Sequence, residues 1–185
     1  MERIINIIKE LNKDKKLVLI GIDGPCASGK TTLAQGIADA TDAQVIHTDD
    51  FFLPFEMKTP ERMAKAGGNV HYERFAQEVA DGIASGKPFE YGVYRCTEGR
   101  IAEKKTVSPE GIIIVEGSYS MHPEMGMDYD LRVFVEAPID IRLKRILERN
   151  GAEKLEMFKT KWIPPENRYF EFYGIKEKCN IKINR

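Results

Sequence analysis

The feature that most constrains the fold of this 185-residue chain is an apolar run that leads directly into a glycine-rich turn. Residues 17–22, LVLIGI, suit a strand buried on both faces of a parallel sheet. Residues 24–31, GPCASGKT, fit the pattern GxxxxGK[ST], and residues 32–40 continue with the apolar spacing of a helix. A strand, a glycine-rich turn and a helix in this order predict a loop that wraps the phosphates of a nucleotide.

Each fixed position of this phosphate loop has a chemical task. Glycines let backbone N–H groups approach phosphate oxygens, and the following helix adds the positive end of its dipole. Lys30 is expected to reach the β- and γ-phosphates of ATP, and Thr31 to offer its hydroxyl to Mg²⁺. The alternative is a turn that binds nothing, and the flanking strand and helix count against it. The expected ATP-binding residues are Gly24, Pro25, Cys26, Ala27, Ser28, Gly29, Lys30, Thr31 and Thr32.

Cys26 lies inside this loop and is expected to be a small filler, not a nucleophile. The start of a helix lowers the pKa of a nearby thiol, so we also expect thiol reagents to modify Cys26 unless ATP is bound.

Further apolar runs alternate with helical periods along the rest of the chain. Strands are predicted at residues 44–47, 112–115, 131–135 and 179–183, and helices at residues 1–16 and 73–85. Residues 88–107 predict a hairpin outside the main sheet. This alternation favours an α/β fold, and the length favours a single domain over residues 1–185.

Composition limits the partners of the chain. It has 28 lysines and arginines against 29 acidic residues, so no overall field would attract nucleic acid or an anionic membrane. The three cysteines are widely spaced, which is typical of free thiols in a reducing compartment. No segment has the apolar length of a membrane span or a secretory signal. We expect a cytoplasmic protein whose partners are small molecules, and a homo-oligomer remains open.

Carboxylates follow two of the predicted strands. Asp49 and Asp50 come just after residues 44–47, and Glu116 follows residues 112–115. Ligands bind at the carboxyl ends of strands in open α/β sheets, where one carboxylate can activate a hydroxyl and another can hold Mg²⁺. Adjacent side chains point apart, so only one of the two aspartates is expected to be catalytic. A solvated turn or a helix N-cap is the alternative for this pair.

Three arginines recur on the helix predicted after residue 138. Arg142, Arg145 and Arg149 are three and four residues apart, which places them on one face. Glu148 and Glu153 could neutralise Arg145 and Arg149, whereas Arg142 has no facing carboxylate on its own helix. An external anion would neutralise all three, as arginines do in phosphoryl transfer. An ordinary charged helix surface is the alternative.

With these motifs in place, the chain resembles a known family. The segments GPCASGKT at 24–31, TDDFF at 48–52, VEG at 115–117 and the arginines at 142–149 occur in the order typical of uridine kinases and their phosphoribulokinase-like relatives. The similarity covers residues 17–172. It implies a three-layer P-loop kinase fold with a central parallel sheet, a small hairpin excursion at about 88–107 and a helical lid at about 142–165.

The resemblance also implies roles for individual residues. Asp49 would activate the ribose 5′-hydroxyl, and Glu116 would lie near the metal and the γ-phosphate. Catalysis would then fall on Asp49, Lys30 and Arg145, and Mg²⁺ binding on Thr31 and Glu116. The implied substrate-binding residues are Asp50, Phe52, His71, Tyr94, Arg142 and Arg149.

Two departures from the family concern the acceptor. The hairpin of uridine kinases carries a tyrosine, an aromatic residue and a histidine for the base; Tyr94 fits, but residues 95–99, RCTEG, offer no histidine. His71 stands where the family commonly has an aspartate for the ribose, and a structural role for this histidine stays open.

The expected activity is ATP-dependent transfer to the 5′-hydroxyl of a nucleoside such as uridine or cytidine. One alternative is a kinase for another acceptor: a sugar, a vitamin precursor or a nucleotide monophosphate. The other is a nucleotide-dependent switch or ATPase module that acts on a protein partner. The absence of an aspartate-glutamate ending after residues 112–115 and of an Asn-Lys-x-Asp motif counts against the module.

Overall fold

A computed structural model describes all residues, 1–185, and its centre is a five-stranded parallel sheet. The strands are β1 (Leu17–Asp23), β2 (Gln44–His47), β5 (Gly111–Glu116), β6 (Leu131–Glu136) and β7 (Ile181–Asn184). Their order across the sheet is β2-β5-β1-β6-β7. The predicted α/β fold with a central parallel sheet is confirmed, although β7 begins two residues later than the run that predicted it.

Helices cover both faces of this sheet. They are α1 (Glu2–Asp14), α2 (Lys30–Thr41), α3 (Pro60–Ala64), α4 (Tyr72–Phe75), α5 (Asp81–Ala84), α6 (Ile139–Met157) and α7 (Ile163–Tyr173). A π-helical segment at Ala76–Ala80 joins α4 to α5, so the helix predicted at 73–85 is continuous but not uniformly α. None of the helices combines the length and the apolarity that crossing a membrane requires.

Two apolar clusters make the three layers. One packs α1 and α2 on the sheet and includes Ile8, Ile20 and Ile37. The other lies on the opposite face and includes Phe51, Phe75 and Tyr169, together with the hairpin and α7. The central strands are buried on both faces, which is why their sequences are continuous apolar runs.

The hairpin outside the main sheet is present as β3 (Phe89–Arg95) and β4 (Arg100–Val107), which pair in antiparallel fashion. The segment from residue 142 to residue 165 comprises most of α6, a π-helical stretch at Phe158–Trp162 and the start of α7. Gly151 interrupts α6 with φ 83° and ψ 170°, and no atom lies within 4 Å of the place where a Cβ would stand. This segment, which was predicted to be a lid, therefore bends at a glycine that has free space around it.

Candidate active site

The site lies where the parallel strands end. Ile22 of β1 and His47 of β2 are both paired with Glu116 of β5, so the ends of three adjacent strands lie side by side. The phosphate loop leaves β1 at this edge and enters α2 at Lys30. The sheet register thus brings together the loop and the carboxylates that follow β2 and β5.

Two glycines are required by this geometry. Gly24 has φ 141°, and a Cβ there would lie 2.0 Å from the backbone oxygen of Val135. Gly117 has φ 135°, and a Cβ there would lie 2.0 Å from Oγ1 of Thr48. Gly24 thus lets its loop pass against the backbone of β6, and Gly117 lets its loop pass against the side chain of Thr48, since any side chain at either position would collide.

Asp23, at the end of β1, anchors these loops from inside the protein. It is fully buried and accepts hydrogen bonds from the backbone N–H groups of Gly24, Tyr119 and Met121 and from the hydroxyl of Tyr169 at 2.8 Å. Burial raises the pKa of Asp23 to about 6, although these donors favour the ionised carboxylate. The buried side chain of Asp23 therefore joins three segments: α7, the phosphate loop and the loop that follows β5.

Lys30 and Thr31 open α2 with different surroundings. Lys30 is buried, and its ammonium donates to the Pro25 carbonyl at 2.9 Å and to Oγ of Ser118 at 3.4 Å. Thr31 is exposed, and its Oγ1 lies 3.2 and 3.3 Å from the two carboxylate oxygens of Glu116.

The Thr31 and Glu116 pair provides hard oxygen donors of the kind that Mg²⁺ prefers. No group of three or more histidine, cysteine or acidic side chains is arranged to hold a metal ion. A hydroxyl, a carboxylate and the phosphates of a nucleotide fit Mg²⁺, which keeps several waters and is often held through substrate phosphates. His47 Nδ1 lies 2.6 Å from Oε1 of Glu116, and this hydrogen bond raises the pKa of His47. Thr31 and His47 together hold the Glu116 carboxylate in place.

Asp49 differs from Asp23, Glu116 and Asp50 because no hydrogen bond from the protein reaches its carboxylate. It lies in a 3₁₀ turn, Thr48–Phe51, directly after β2, and is exposed to solvent. Desolvation by the neighbouring protein raises the pKa of Asp49. The negative charge of Glu116 adds to this effect, and the positive charge of Lys30 opposes it. Such a carboxylate is free to accept a hydrogen bond from a ligand.

Asp50 points to the hairpin instead. Its Oδ2 accepts hydrogen bonds from Lys105 Nζ at 3.0 Å and from the Tyr91 hydroxyl at 3.3 Å, and its carbonyl accepts from Arg74 at 2.6 Å. Of the two adjacent aspartates, Asp50 thus binds the hairpin through its carboxylate, whereas the Asp49 carboxylate has no protein partner. Asp50 attaches the hairpin to the segment that carries Asp49.

The three remaining positions predicted on the acceptor side have distinct settings. Phe52 is half-buried and bridges to Val70 through its backbone, and Tyr94 is buried on β3. His71 caps α4 by accepting from the Arg74 N–H at 3.3 Å, and burial lowers its pKa. Cys96 lies in the turn between β3 and β4 and is exposed.

The three arginines of α6 separate into two groups. Arg142 is buried and donates from Nε to the Cys26 carbonyl at 2.8 Å, and Arg145 donates to the Ala27 carbonyl at 3.0 Å. Arg149 is exposed and donates to its neighbour Asn150, so it does not reach the loop. Arg142 has no facing carboxylate on its own helix, but Glu166 of α7 lies 3.7 Å from its guanidinium.

The expectation of a lowered thiol pKa at Cys26 is also wrong. Burial raises the pKa of Cys26 to about 12, and the negative charge of Glu166 adds to that effect. The positive end of the helix dipole falls off within the first turn and cannot offset this burial. Cys26 is a structural residue of the loop.

Sequence reasoning missed Glu166 and Ser118. Ser118 Oγ lies 2.8 Å from Glu166, 3.0 Å from the Gly24 carbonyl and 3.4 Å from Lys30. Glu166 also accepts from the backbone N–H of Cys26, 140 residues earlier in the chain. The only sequence signal for Glu166 is an acidic residue in the first turn of a helix that begins with two prolines, and this pattern is common at exposed helix starts.

Comparison with protein families agrees with this geometry. The model of the phosphoribulokinase / uridine kinase family matches residues 19–155. This chain belongs to that family. Its phosphate loop, Glu116 and the first arginines of α6 all lie within the matched residues, whereas Glu166 lies beyond them.

Curated relatives have similar descriptions. A uridine kinase from Halobacterium salinarum is 31% identical over 143 residues, which are 73% of this chain and 63% of that protein. Uridine-cytidine kinase C from Dictyostelium discoideum is 27% identical over 160 residues, 82% of this chain and 35% of that protein. The chain therefore spans less than two thirds of the length of either relative.

Solved structures share the fold. A possible uridine kinase from Bacillus stearothermophilus superimposes with a TM-score of 0.70 at 19% identity, covering 98% of this chain and 97% of that one. A D-glycerate 3-kinase from Cryptococcus neoformans does so with a TM-score of 0.68 at 14% identity, covering 99% and 94%. The fold is that of P-loop kinases, and it accommodates acceptors as different as these two names indicate.

Proposed function

We propose that this protein transfers the γ-phosphoryl group of ATP to a hydroxyl of a small molecule, and that the acceptor is the 5′-hydroxyl of a nucleoside such as uridine or cytidine. The observation that carries the proposal is Asp49, a carboxylate without a protein partner beside the phosphate loop. The curated relatives described as uridine kinases support the choice of acceptor.

In this mechanism ATP lies on the loop between β1 and α2, with the ammonium of Lys30 exchanging its Pro25 carbonyl contact for phosphate oxygens. Thr31 and Glu116 would hold Mg²⁺, which when bound neutralises charge on the phosphates and orients them. Arg142 and Arg145, already against the loop, stabilise the negative charge on the transferring group.

Asp49 supplies the base. Its carboxylate accepts the proton of the acceptor hydroxyl, and the raised pKa makes it a stronger base than an ordinary aspartate. The neighbouring hairpin, attached through Asp50, covers the acceptor on the side of Phe52 and Tyr94. Closure of the lid segment, residues 142–165, excludes water and limits hydrolysis of ATP.

The test is Asp49→Asn, which keeps the size of the side chain but removes its basicity. We expect kcat with uridine to fall about 10²- to 10⁴-fold while the Kd of ATP changes by less than about twofold. Asp39→Asn, at an exposed position on α2, is the control and should retain full activity. Near-normal turnover of Asp49→Asn would show that another group is the base.

The acceptor is tested separately by measuring ADP release with a panel of uridine, cytidine, a purine nucleoside, a sugar and a sugar acid. The panel includes a sugar acid because a D-glycerate 3-kinase has the same fold. Release with another acceptor but not with a pyrimidine nucleoside would contradict the proposed substrate and leave the proposed kinase chemistry standing.

A further inference from the structure

Glu166 is a buried carboxylate at the phosphate loop that no step described above uses. Only 5% of its surface is exposed. Its Oε2 accepts from the Cys26 N–H at 2.9 Å, and its Oε1 accepts from the Ser118 hydroxyl at 2.8 Å. A carboxylate buried to this extent needs hydrogen bonds and a nearby cation.

That cation is Arg142, which lies 3.7 Å from Oε2 of Glu166. Arg142 donates from Nε to the Cys26 carbonyl at 2.8 Å and from Nη2 to Cys26 Sγ at 3.4 Å. Arg142 and Glu166 therefore bind the two sides of one loop residue, its C=O and its N–H.

Arg142 and Glu166 lie at opposite ends of the lid segment. Arg142 lies near the start of α6 and Glu166 near the start of α7, so they bound the lid segment at both ends. The lid bends at Gly151 between them. Both ends of the lid are thus fixed to Cys26, and the bend at Gly151 lies between them.

We propose that Glu166 is a positioning residue that holds Arg142 against the phosphate loop, so that its guanidinium is oriented for the transferring phosphoryl group. This inference rests on the proposed kinase function. An arginine fixed in advance loses little further freedom when the charge develops, and small displacements of such groups reduce rates strongly. Glu166 itself does not touch the reacting atoms.

The variants that test this are Glu166→Gln, Arg142→Gln and the double variant. Glutamine keeps an oxygen for the Cys26 N–H but removes the charge that faces Arg142. We expect Glu166→Gln to lower kcat about 10- to 100-fold while KM for ATP changes by less than about threefold. Glu171→Gln, exposed on the same helix, is the control and should retain the wild-type kcat.

A double-mutant cycle separates positioning from independent effects. If Glu166 acts through Arg142, the double variant has the same kcat as Arg142→Gln. A double variant several-fold slower than Arg142→Gln, or an unchanged kcat in Glu166→Gln, would overturn the proposal.

The double-mutant cycle can still test the proposal if one of the variants fails to fold. Glu166→Gln leaves Arg142 buried without a countercharge and is the variant most at risk of misfolding, whereas the double variant removes both charges. If Glu166→Gln does not fold, the kcat of the double variant relative to that of Arg142→Gln still decides. Failure of the double variant to fold would overturn the proposal, because the pair would then be needed for the fold itself.

An assay without acceptor keeps this test apart from the proposed function. Slow hydrolysis of ATP by the wild-type protein, measured with no acceptor present, uses the same loop and arginine. If no nucleoside is phosphorylated, the proposed substrate fails, and the cycle is repeated on hydrolysis. If hydrolysis in Glu166→Gln equals that of the wild type, the positioning role fails by itself.

Discussion

At the scale of single residues, the end of β1 shows how one buried group organises the site. Asp23 is enclosed by three backbone N–H groups and the Tyr169 hydroxyl, from segments that are far apart in sequence. Burial disfavours its charged form, and the donors favour it. The fixed path of the chain into the phosphate loop at Gly24 depends on these bonds.

We predict that Tyr169→Phe lowers the free energy of unfolding by roughly 1.5–3 kcal/mol, the value of a hydrogen bond to a charged group. The folded-state pKa of Asp23 lies at about 6, above its ordinary value of 3.8, so its stabilising contribution is complete below 3.8 and is lost as pH rises through about 6. Loss of the tyrosine donor raises this pKa further. The destabilisation should therefore be larger at about pH 8 than at about pH 5.

Urea unfolding of the variant and the wild type at both pH values measures this difference. Tyr173→Phe, one turn later on α7 and only half-buried, is the control and should change stability by less than about 0.5 kcal/mol. A loss that is the same at both pH values would mean that the Asp23 carboxylate does not titrate in this range.

Also at this scale, residue type predicted some roles and not others. The loop motif predicted the order of strand, loop and helix correctly, because GxxxxGK[ST] encodes a local geometry, although α2 begins at Lys30, two residues before the predicted helix. The motif did not predict that Arg142 is buried or that Glu166 lies 3.7 Å from it. That pair depends on how α7 packs against the loop, and local periodicity contains no information on contacts over such a separation.

At the scale of secondary-structure elements, the continuous apolar runs predicted β1, β5 and β6 because these strands are covered on both faces. The hairpin was predicted from its two short strands and its turn. The sequence could not predict how the hairpin is attached, since the contact of Asp50 with Lys105 joins the 3₁₀ turn after β2 to β4, 55 residues later in the chain.

This attachment gives a prediction about the acceptor. Lys105→Met keeps the aliphatic part of the side chain and removes the ion pair with Asp50. We expect KM for the acceptor to rise about two- to fivefold, as expected for the loss of up to about 1 kcal/mol, with KM for ATP unchanged. Steady-state kinetics with each substrate varied in turn would measure both values.

Lys104→Met is the matched control, since Lys104 is exposed and its partner Glu90 lies on the hairpin itself. If Lys104→Met raises KM as much as Lys105→Met does, the effect comes from general loss of charge. An equal rise in KM for ATP would mean that the hairpin influences the nucleotide site as well.

At the scale of the whole molecule, the nucleotide site is attached to the most buried part of the structure. The loop leaves β1, the central strand, and enters α2, whose Leu33 and Ile37 are buried in the core. Asp23 links the same loop to α7 on the other face of the sheet. Loss of the loop conformation therefore requires unfolding of the central sheet, so a ligand bound there stabilises the entire fold.

We predict that ATP with Mg²⁺ at about 100 times its Kd raises the free energy of unfolding by about 2.7 kcal/mol. For a chain of this size that corresponds to an increase in Tm of about 5–10 °C, measurable by calorimetry or differential scanning fluorimetry.

Lys30→Ala should lose most of the shift at the same ATP concentration, because the buried ammonium is the loop's own countercharge for the phosphates. Lys9→Ala, at an exposed position on α1, should keep the full shift. If Lys30→Ala retained the shift, ATP would be binding elsewhere; if only a local probe of the loop responded to ATP, the loop would unfold independently of the sheet.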